Sequence, residues 1–243
     1  MKTGPKFGVI ASIAETSPKA LLDALLEAEL ATSIEIRLDS LGSSVKSVLS
    51  LLPTSLPSNR PVILTLRSKK QGGSEVIDLP EQLIFWDSLP MNLKALIRSP
   101  RSRVFVDWGL DLIRHQHKHL SRLPFPWIKI GASVHCFEKT PENLPTLLGQ
   151  LEASPARAFL KLVTMAKGTG DVERIQALFA NRSNPRPLIA FAMGKLGEDS
   201  RRKCLGWGSA ATYGYVLGHS LTAPGQLSVN ELLADPDIQA ALT

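Results

Sequence analysis

Cysteine is scarce: Cys136 and Cys204 are the only two in 243 residues, and no CxxC pair exists. A disulfide framework is therefore excluded, and the usage suits a reducing compartment. No apolar run approaches the length of a membrane span, and the apolar part of the opening "MKTGPKFGVIASIAE" is too short for a signal sequence, so a soluble cytoplasmic chain without a membrane partner is expected. Charge of one sign never runs in blocks. The 28 basic and 22 acidic residues leave a net charge of +6, but the basic ones are scattered, which argues against nucleic acid and leaves anionic substrates as the use of the excess. GxGxxG and P-loop glycine patterns are also missing: "MGKLGEDSRRK" from Met193 carries Gly194 and Gly197 without either spacing. No linker, low-complexity tract or short repeat divides the chain, so 1–243 reads as one domain.

What is present is an alternation of strand-like and helix-like stretches. The strand candidates are "FGVIASI" from Phe7, "SIEIRLD" from Ser33, "PVILTLRS" from Pro61, "RVFVDW" from Arg103, "WIKIGASVHCF" from Trp127, "FLKLVTMA" from Phe159, "PLIAFAMG" from Pro187 and "CLGWGSA" from Cys204. Ser17 with Pro18, and Thr140 with Pro141, read as the N-cap and first residue of helices. Eight βα units predict an α/β fold, a closed (β/α)8 TIM barrel.

Residues i and i+2 of a strand share a face. Glu35, Arg37 and Asp39 fall together on the second strand, Thr65 and Arg67 on the third, Ser133 and His135 on the fifth. Lys161 interrupts the apolar run of the sixth, a place where a charged side chain needs a partner. Each has a bland reading alone: a structural ion pair for Glu35 and Arg37, a satisfied core residue for His135, a snorkelling stem for Lys161. Their convergence near the C-terminal ends of several strands is the pattern of a barrel active site. Ser200, Arg201 and Arg202 fall after the seventh strand, on a loop that in barrels commonly binds anions. "RHQHKHL", with His115, His117 and His119, reads as a helix, on which only His115 and His119 would pair, and a metal site is not expected.

Seven stretches occur in an order that resembles the type I 3-dehydroquinate dehydratase family: "IEIRLDSL" from Ile34, "LTLRSKKQGG" from Leu64, "SVHCFEKTP" from Ser133, "FLKLVTMA" from Phe159, "FAMGKLGEDSR" from Phe191, "GWGSAATYG" from Gly206 and "TAPGQLSV" from Thr222. The resemblance implies a barrel that dehydrates 3-dehydroquinate to 3-dehydroshikimate in the shikimate pathway of aromatic amino-acid biosynthesis, through a lysine Schiff base. It implies Lys161 as the imine-forming lysine and His135 as the catalytic histidine. Arg201 would bind the substrate carboxylate, with Ser12, Glu35, Arg37, Arg67, Thr222 and Gln226 around the substrate. No cofactor and no metal would be needed. As partners, the resemblance allows a second copy of the chain in a homodimer and a fused or associated shikimate dehydrogenase. Two other readings stand beside it: a Schiff-base aldolase on the same barrel, and a binding domain that has lost the chemistry.

Burial, with Arg37 and Arg67 nearby, is expected to bring the Lys161 amine down from about 10.4 toward neutrality. The chain departs from the resemblance beside the histidine. Gln71 stands where the family usually has a glutamate, and Cys136 where an aspartate usually follows the histidine. Gln71 is therefore expected to keep a hydrogen bond to His135 but not its field, leaving His135 a weaker base.

Overall fold

The computed structural model describes residues 7–119, 124–180 and 182–243, with the side chains of residues 117–119 outside that description. Strands and helices alternate as β1 (Gly8–Ile13), α1 (Pro18–Glu27), β2 (Ser33–Arg37), α2 (Val45–Ser55), β3 (Val62–Thr65), α3 (Leu79–Asp87), α4 (Met91–Arg98), β4 (Val104–Gly109) and α5 (Leu110–His119). They continue as β5 (Ile130–Cys136), α6 (Leu144–Glu152), β6 (Leu160–Met165), α7 (Thr169–Gln176), β7 (Leu188–Met193), α8 (Glu198–Trp207), β8 (Ala211–Tyr215), α9 (Val229–Ala234) and α10 (Pro236–Leu242). The strands form one sheet in the order β7-β6-β5-β4-β3-β2-β1-β8. At the seam, Ala210 N donates to Leu188 O at 2.7 Å and Ala190 N to Ser209 Oγ at 3.3 Å, so the sheet closes into the expected (β/α)8 barrel.

Parallel strands covered on both sides must be apolar on both faces, and these are. Val9, Ala11, Ile34, Ile36, Val62 and Leu64 pack outward under the helices. Ile10, Ile63, Phe159, Val163, Ile189 and Phe191 fill the barrel. Phe7 plugs the N-terminal end edge-to-face against Phe105 and Phe159, with centroids 5.6 and 5.5 Å apart. Polar side chains occupy the inner face above this plug, and the register aligns them: Ser12 opposite Glu35, Thr65 opposite Asp107, Ser133 opposite Lys161.

Three local expectations are corrected. The eighth strand starts at Ala211 rather than Cys204, because "CLGW" is the last part of α8, which ends where Gly208 turns left-handed with φ of 104°. Ser200, Arg201 and Arg202 consequently ride on α8 and not on a loop. Ser17 does cap α1, accepting from Ala20 N at 3.2 Å, but α6 is preceded by Asn143. Thr140 instead ties its loop to β6 through Thr164 Oγ1 at 2.8 Å and Met165 O at 3.0 Å. The histidine segment is helical as expected, while a pairing of His115 with His119, like the side chain of His117, lies outside the described residues. Among the described residues no helix is long and apolar enough to cross a membrane.

Gly131 lies where the plug leaves no room: a Cβ there would stand 2.1 Å from Phe159 Cζ. Gly131→Ala is expected to lower stability by about 1–3 kcal/mol through overpacking. Gly149→Ala on α6, where nothing lies within 4 Å, should be neutral or slightly stabilising. Urea unfolding midpoints of the two variants test this, and equal midpoints would show that the plug repacks freely.

Candidate active site

Lys161 points from β6 into the barrel and is 3% exposed. Its Nζ donates to Glu35 Oε1 at 3.1 Å and to Asp107 Oδ2 at 3.3 Å, and stands 4.1 Å from the centroid of the Tyr213 ring. Glu35 also accepts from Ser12 Oγ at 2.8 Å and Thr65 Oγ1 at 3.0 Å. Burial alone would push the Glu35 carboxyl up, but Lys161, Arg67, Arg37 and the Ser12 hydroxyl outweigh it and hold the group at about 2. The environment expected for the lysine is thereby corrected. Arg37 and Arg67 do not face it as bare cations: Arg67 Nη2 is paired with Asp107 at 2.8 Å, and Arg37 grips Asp39 with Nε at 3.0 Å and Nη2 at 2.8 Å. What touches the amine is two carboxylates.

Asp39 has a second task. It accepts from the backbone N–H of Arg67 at 3.2 Å and of Ser74 at 3.1 Å, while Arg37 reaches Gly72 O at 3.1 Å. This pair therefore fixes the loop after β3, on which Arg67 sits. Arg67 Nη1 in turn lies against the ring of His135, close to Nδ1 and 2.9 Å from Nε2, and donates to the one ring nitrogen that carries the lone pair. A ring that accepts from a guanidinium is neutral. Burial, then Arg67, Lys161 and Arg37, push His135 well below its ordinary value. Phe137 stacks on the ring with centroids 6.2 Å apart.

The expected link from Gln71 to His135 is not formed. Gln71 Nε2 donates to Asp111 Oδ1 at 2.6 Å, because a carboxylate is a stronger acceptor than a neutral imidazole and Gly109 leaves the space between them. A Cβ on Gly109 would lie 2.6 Å from Gln71 Nε2. The weak basicity of His135 thus arises from burial and cations rather than from Gln71. Cys136 alternates to the other face of β5 from His135, half-buried, with its thiol pushed up by burial.

On the far wall, Arg201 is 1% exposed, with its guanidinium 4.6 Å from the Phe191 centroid. Nη1 donates to Tyr213 O at 3.3 Å, but Nε and Nη2 have no protein acceptor. Burial brings Arg201 down to about 10, so it is still a cation at neutral pH. Gln226 Oε1 accepts from Thr222 N and Oγ1, both at 2.9 Å, which leaves the buried Nε2 without an acceptor. Ser12, Glu35, Arg37, Arg67, His135, Lys161, Arg201, Thr222 and Gln226 all line one cavity at the C-terminal end of the barrel; Gln71 and Cys136 do not. Lys161, Arg37 and Arg67 pair with the carboxylates of Glu35, Asp39 and Asp107, and Arg201 bonds to none of these three. Among the described residues no three His, Cys, Asp or Glu side chains group as a metal's ligands.

Sequence reasoning missed Asp107 and Tyr213. Asp107 had a readable signal, a carboxylate between Val106 and Trp108 in an apolar strand. Tyr213 was obscured because the eighth strand was placed too early.

Comparison with known proteins agrees with this architecture. The type I 3-dehydroquinase family model matches residues 9–234. The 3-dehydroquinate dehydratase of Escherichia coli O7:K1 is 31% identical over 200 residues, covering 78% of this chain and 74% of that protein. Among solved structures, 3-dehydroquinate dehydratase from Geobacillus kaustophilus HTA426 superposes with a TM-score of 0.74 at 23% identity, covering 99% of this chain and 93% of that one. A type I 3-dehydroquinate dehydratase from Clostridium difficile, solved with covalently modified comenic acid, gives 0.71 at 22%, with 98% and 93% covered.

The depressed His135 and Glu35 set a pH dependence. Below 6.5 the unfolded chain takes up a proton at this histidine that the folded chain refuses, so stability falls with pH from 6.5 downward. Glu35, at about 2 against 4.5, adds a second loss as pH falls from 4.5 toward 2. Thermal midpoints of the parent and of His135→Asn against pH check this: the variant should lose the upper part of the decline. Parallel curves for the two proteins would mean that His135 protonates freely in the folded state.

Proposed function

The chain belongs to the type I 3-dehydroquinase family, the dehydratases of 3-dehydroquinate, and on that premise we propose that it works through an imine formed on Lys161. The observation that carries this reading is a lysine amine buried at one side of a cavity whose other side offers the unpaired donors of Arg201 and Gln226. A hydroxy-keto acid fits that division: its carboxylate meets Arg201 and Gln226 Nε2, and its ketone meets Lys161.

In the proposed reaction the amine, having given a proton to a carboxylate that touches it, adds to the ketone carbon. The carbonyl electron pair moves to oxygen, which takes protons and leaves as water, and a cationic imine remains. That cation draws electrons from the neighbouring C–H bond. His135 removes the proton, which requires its lone pair to turn from Arg67 to the substrate. The electrons then expel the hydroxyl of the next carbon, to which the histidine returns the proton, so the second water leaves with its atoms balanced. Hydrolysis of the imine frees 3-dehydroshikimate and Lys161. Glu35, Ser12 and Thr65 hold the amine in place, and Arg37 with Asp39 holds the loop that carries Arg67. The reading assigns the step to the shikimate pathway of a cytoplasmic biosynthesis.

Borohydride added with 3-dehydroquinate should leave a reduced, ligand-sized mass on the peptide containing Lys161. Lys161→Ala should show neither adduct nor turnover, and a folded parent protein that forms no adduct would sink the imine mechanism. Arg201→Gln removes a charge-assisted contact worth about 1.5–3 kcal/mol, so KM should rise on the order of 10- to 100-fold. An unchanged KM would move the carboxylate site elsewhere.

A further inference from the structure

Tyr213, on β8, is 4% exposed and has two distinct contacts with this site. Its ring face receives Lys161 Nζ at 4.1 Å, and the ring leans on Phe191 with centroids 5.8 Å apart. Tyr213 lines the same cavity, and its hydroxyl is fully buried and has no protein partner. A buried hydroxyl left unpaired costs about 1–3 kcal/mol, and a phenylalanine of the same shape would avoid that cost. The group is therefore poorly explained by folding alone and well explained by a ligand oxygen that pairs with it.

The nitrogen chemistry identifies the oxygen. Starting from the ammonium held by Glu35 and Asp107, imine formation needs no outside acid or base: of the three nitrogen protons, two leave with the ketone oxygen as water and one stays on the iminium. During this exchange the nitrogen falls from three N–H donors to one, so it must give up hydrogen bonding to at least one of its two carboxylates. Attraction to a ring face needs no N–H and persists. Negative charge meanwhile builds on the ketone oxygen, one bond away from the carbon under attack, where a neutral donor lowers the barrier.

We propose that Tyr213 is a catalytic residue of this chain, its hydroxyl donating a hydrogen bond to the ketone oxygen as Lys161 adds and its ring face supporting the cationic nitrogen that results. The assignment rests on the imine reading of Lys161. Burial, together with Glu35 and Asp107, holds the phenol well above its ordinary range, so it is a donor throughout the working pH range and not a proton source.

The test measures the single-turnover rate of imine formation, by borohydride quenching at timed intervals with 3-dehydroquinate, in the parent, Tyr213→Phe and Tyr213→Leu. Tyr213→Phe keeps the ring and loses the hydroxyl. Its imine formation should slow by roughly 10- to 100-fold with KM nearly unchanged, while its thermal midpoint stays equal or rises. Tyr213→Leu should slow the step further, since the ring face is gone. A Tyr213→Phe enzyme that is more stable and forms the imine at the parental rate would overturn the proposal and leave the Lys161 mechanism intact. No adduct in the parent protein would remove both.

Discussion

The ion pair of Lys161 with Glu35 and Asp107 lies where an unpaired ammonium would cost several kcal/mol, so the barrel has to be built around its neutralisation. The partners come from separate strands: Ser12 from β1, Glu35 from β2, Asp107 from β4 and Lys161 from β6, with Thr65 on β3 completing the Glu35 contacts. A slip of one residue in any of these strands would turn its polar group toward the helices and bring an aliphatic one inside. Register along these five strands is thus specified by polar pairing as well as by apolar alternation. β7 contributes Ile189, Phe191 and Met193 to the interior and no charged group, and its junction with β8 is where the sheet closes with the fewest bonds.

Neutralisation of the amine and readiness for chemistry pull against each other. A fully satisfied cluster would be stable and inert, because nothing in it would gain by admitting a ligand. Here the cluster is satisfied around Glu35 and Asp39, whereas Asp107 Oδ1 has no partner, and at the upper wall donors of Arg201, Gln226 and Tyr213 have none either. Those buried donors lower the stability of the unliganded barrel and, in the proposed binding mode, return that free energy when substrate oxygens meet them. Rigid supports make the return efficient. Thr222 holds the amide of Gln226, and Phe191 holds the plane of Arg201, so little entropy is lost on binding.

Much of this was readable from the chain because charge inside a β-run is rare enough to notice. Glu35, Arg37, Arg67, His135 and Lys161 announced themselves by sitting at period two among aliphatic residues, and the βα alternation gave the barrel. The failures have physical causes. "CLGW" is apolar enough for a strand, yet the acidic and basic residues before it make an i,i+4 paired helix, with Lys203 on Asp199 and Arg202 on Glu198, and the helix wins. That error hid Tyr213. Asp107 went unread as the partner of Lys161 because pairing across the barrel depends on stagger, which no linear spacing encodes. Gln71 was misassigned for a similar reason: sequence gives no sign that Asp111, at the first turn of α5, lies closer to it than His135 does.

The Gln71–Asp111 bond bears on how the proposed histidine can work. With no carboxylate on its ring, His135 is held by Arg67, a shared donor whose other arm is fixed to Asp107. Such a ring is a weak proton acceptor, which slows the abstraction step. The same property makes its protonated form a strong acid, which speeds the return of the proton to the departing hydroxyl. Lowering the affinity therefore shifts the burden from the second half of the elimination to the first. In the proposed reaction the cationic imine acidifies the very C–H bond that the weakened base must break, so the first half is the one the site can most easily compensate. Tuning by arginines instead of a carboxylate is then compatible with turnover as long as the imine forms readily, which returns the demand to the carboxylates and the aromatic ring around Lys161.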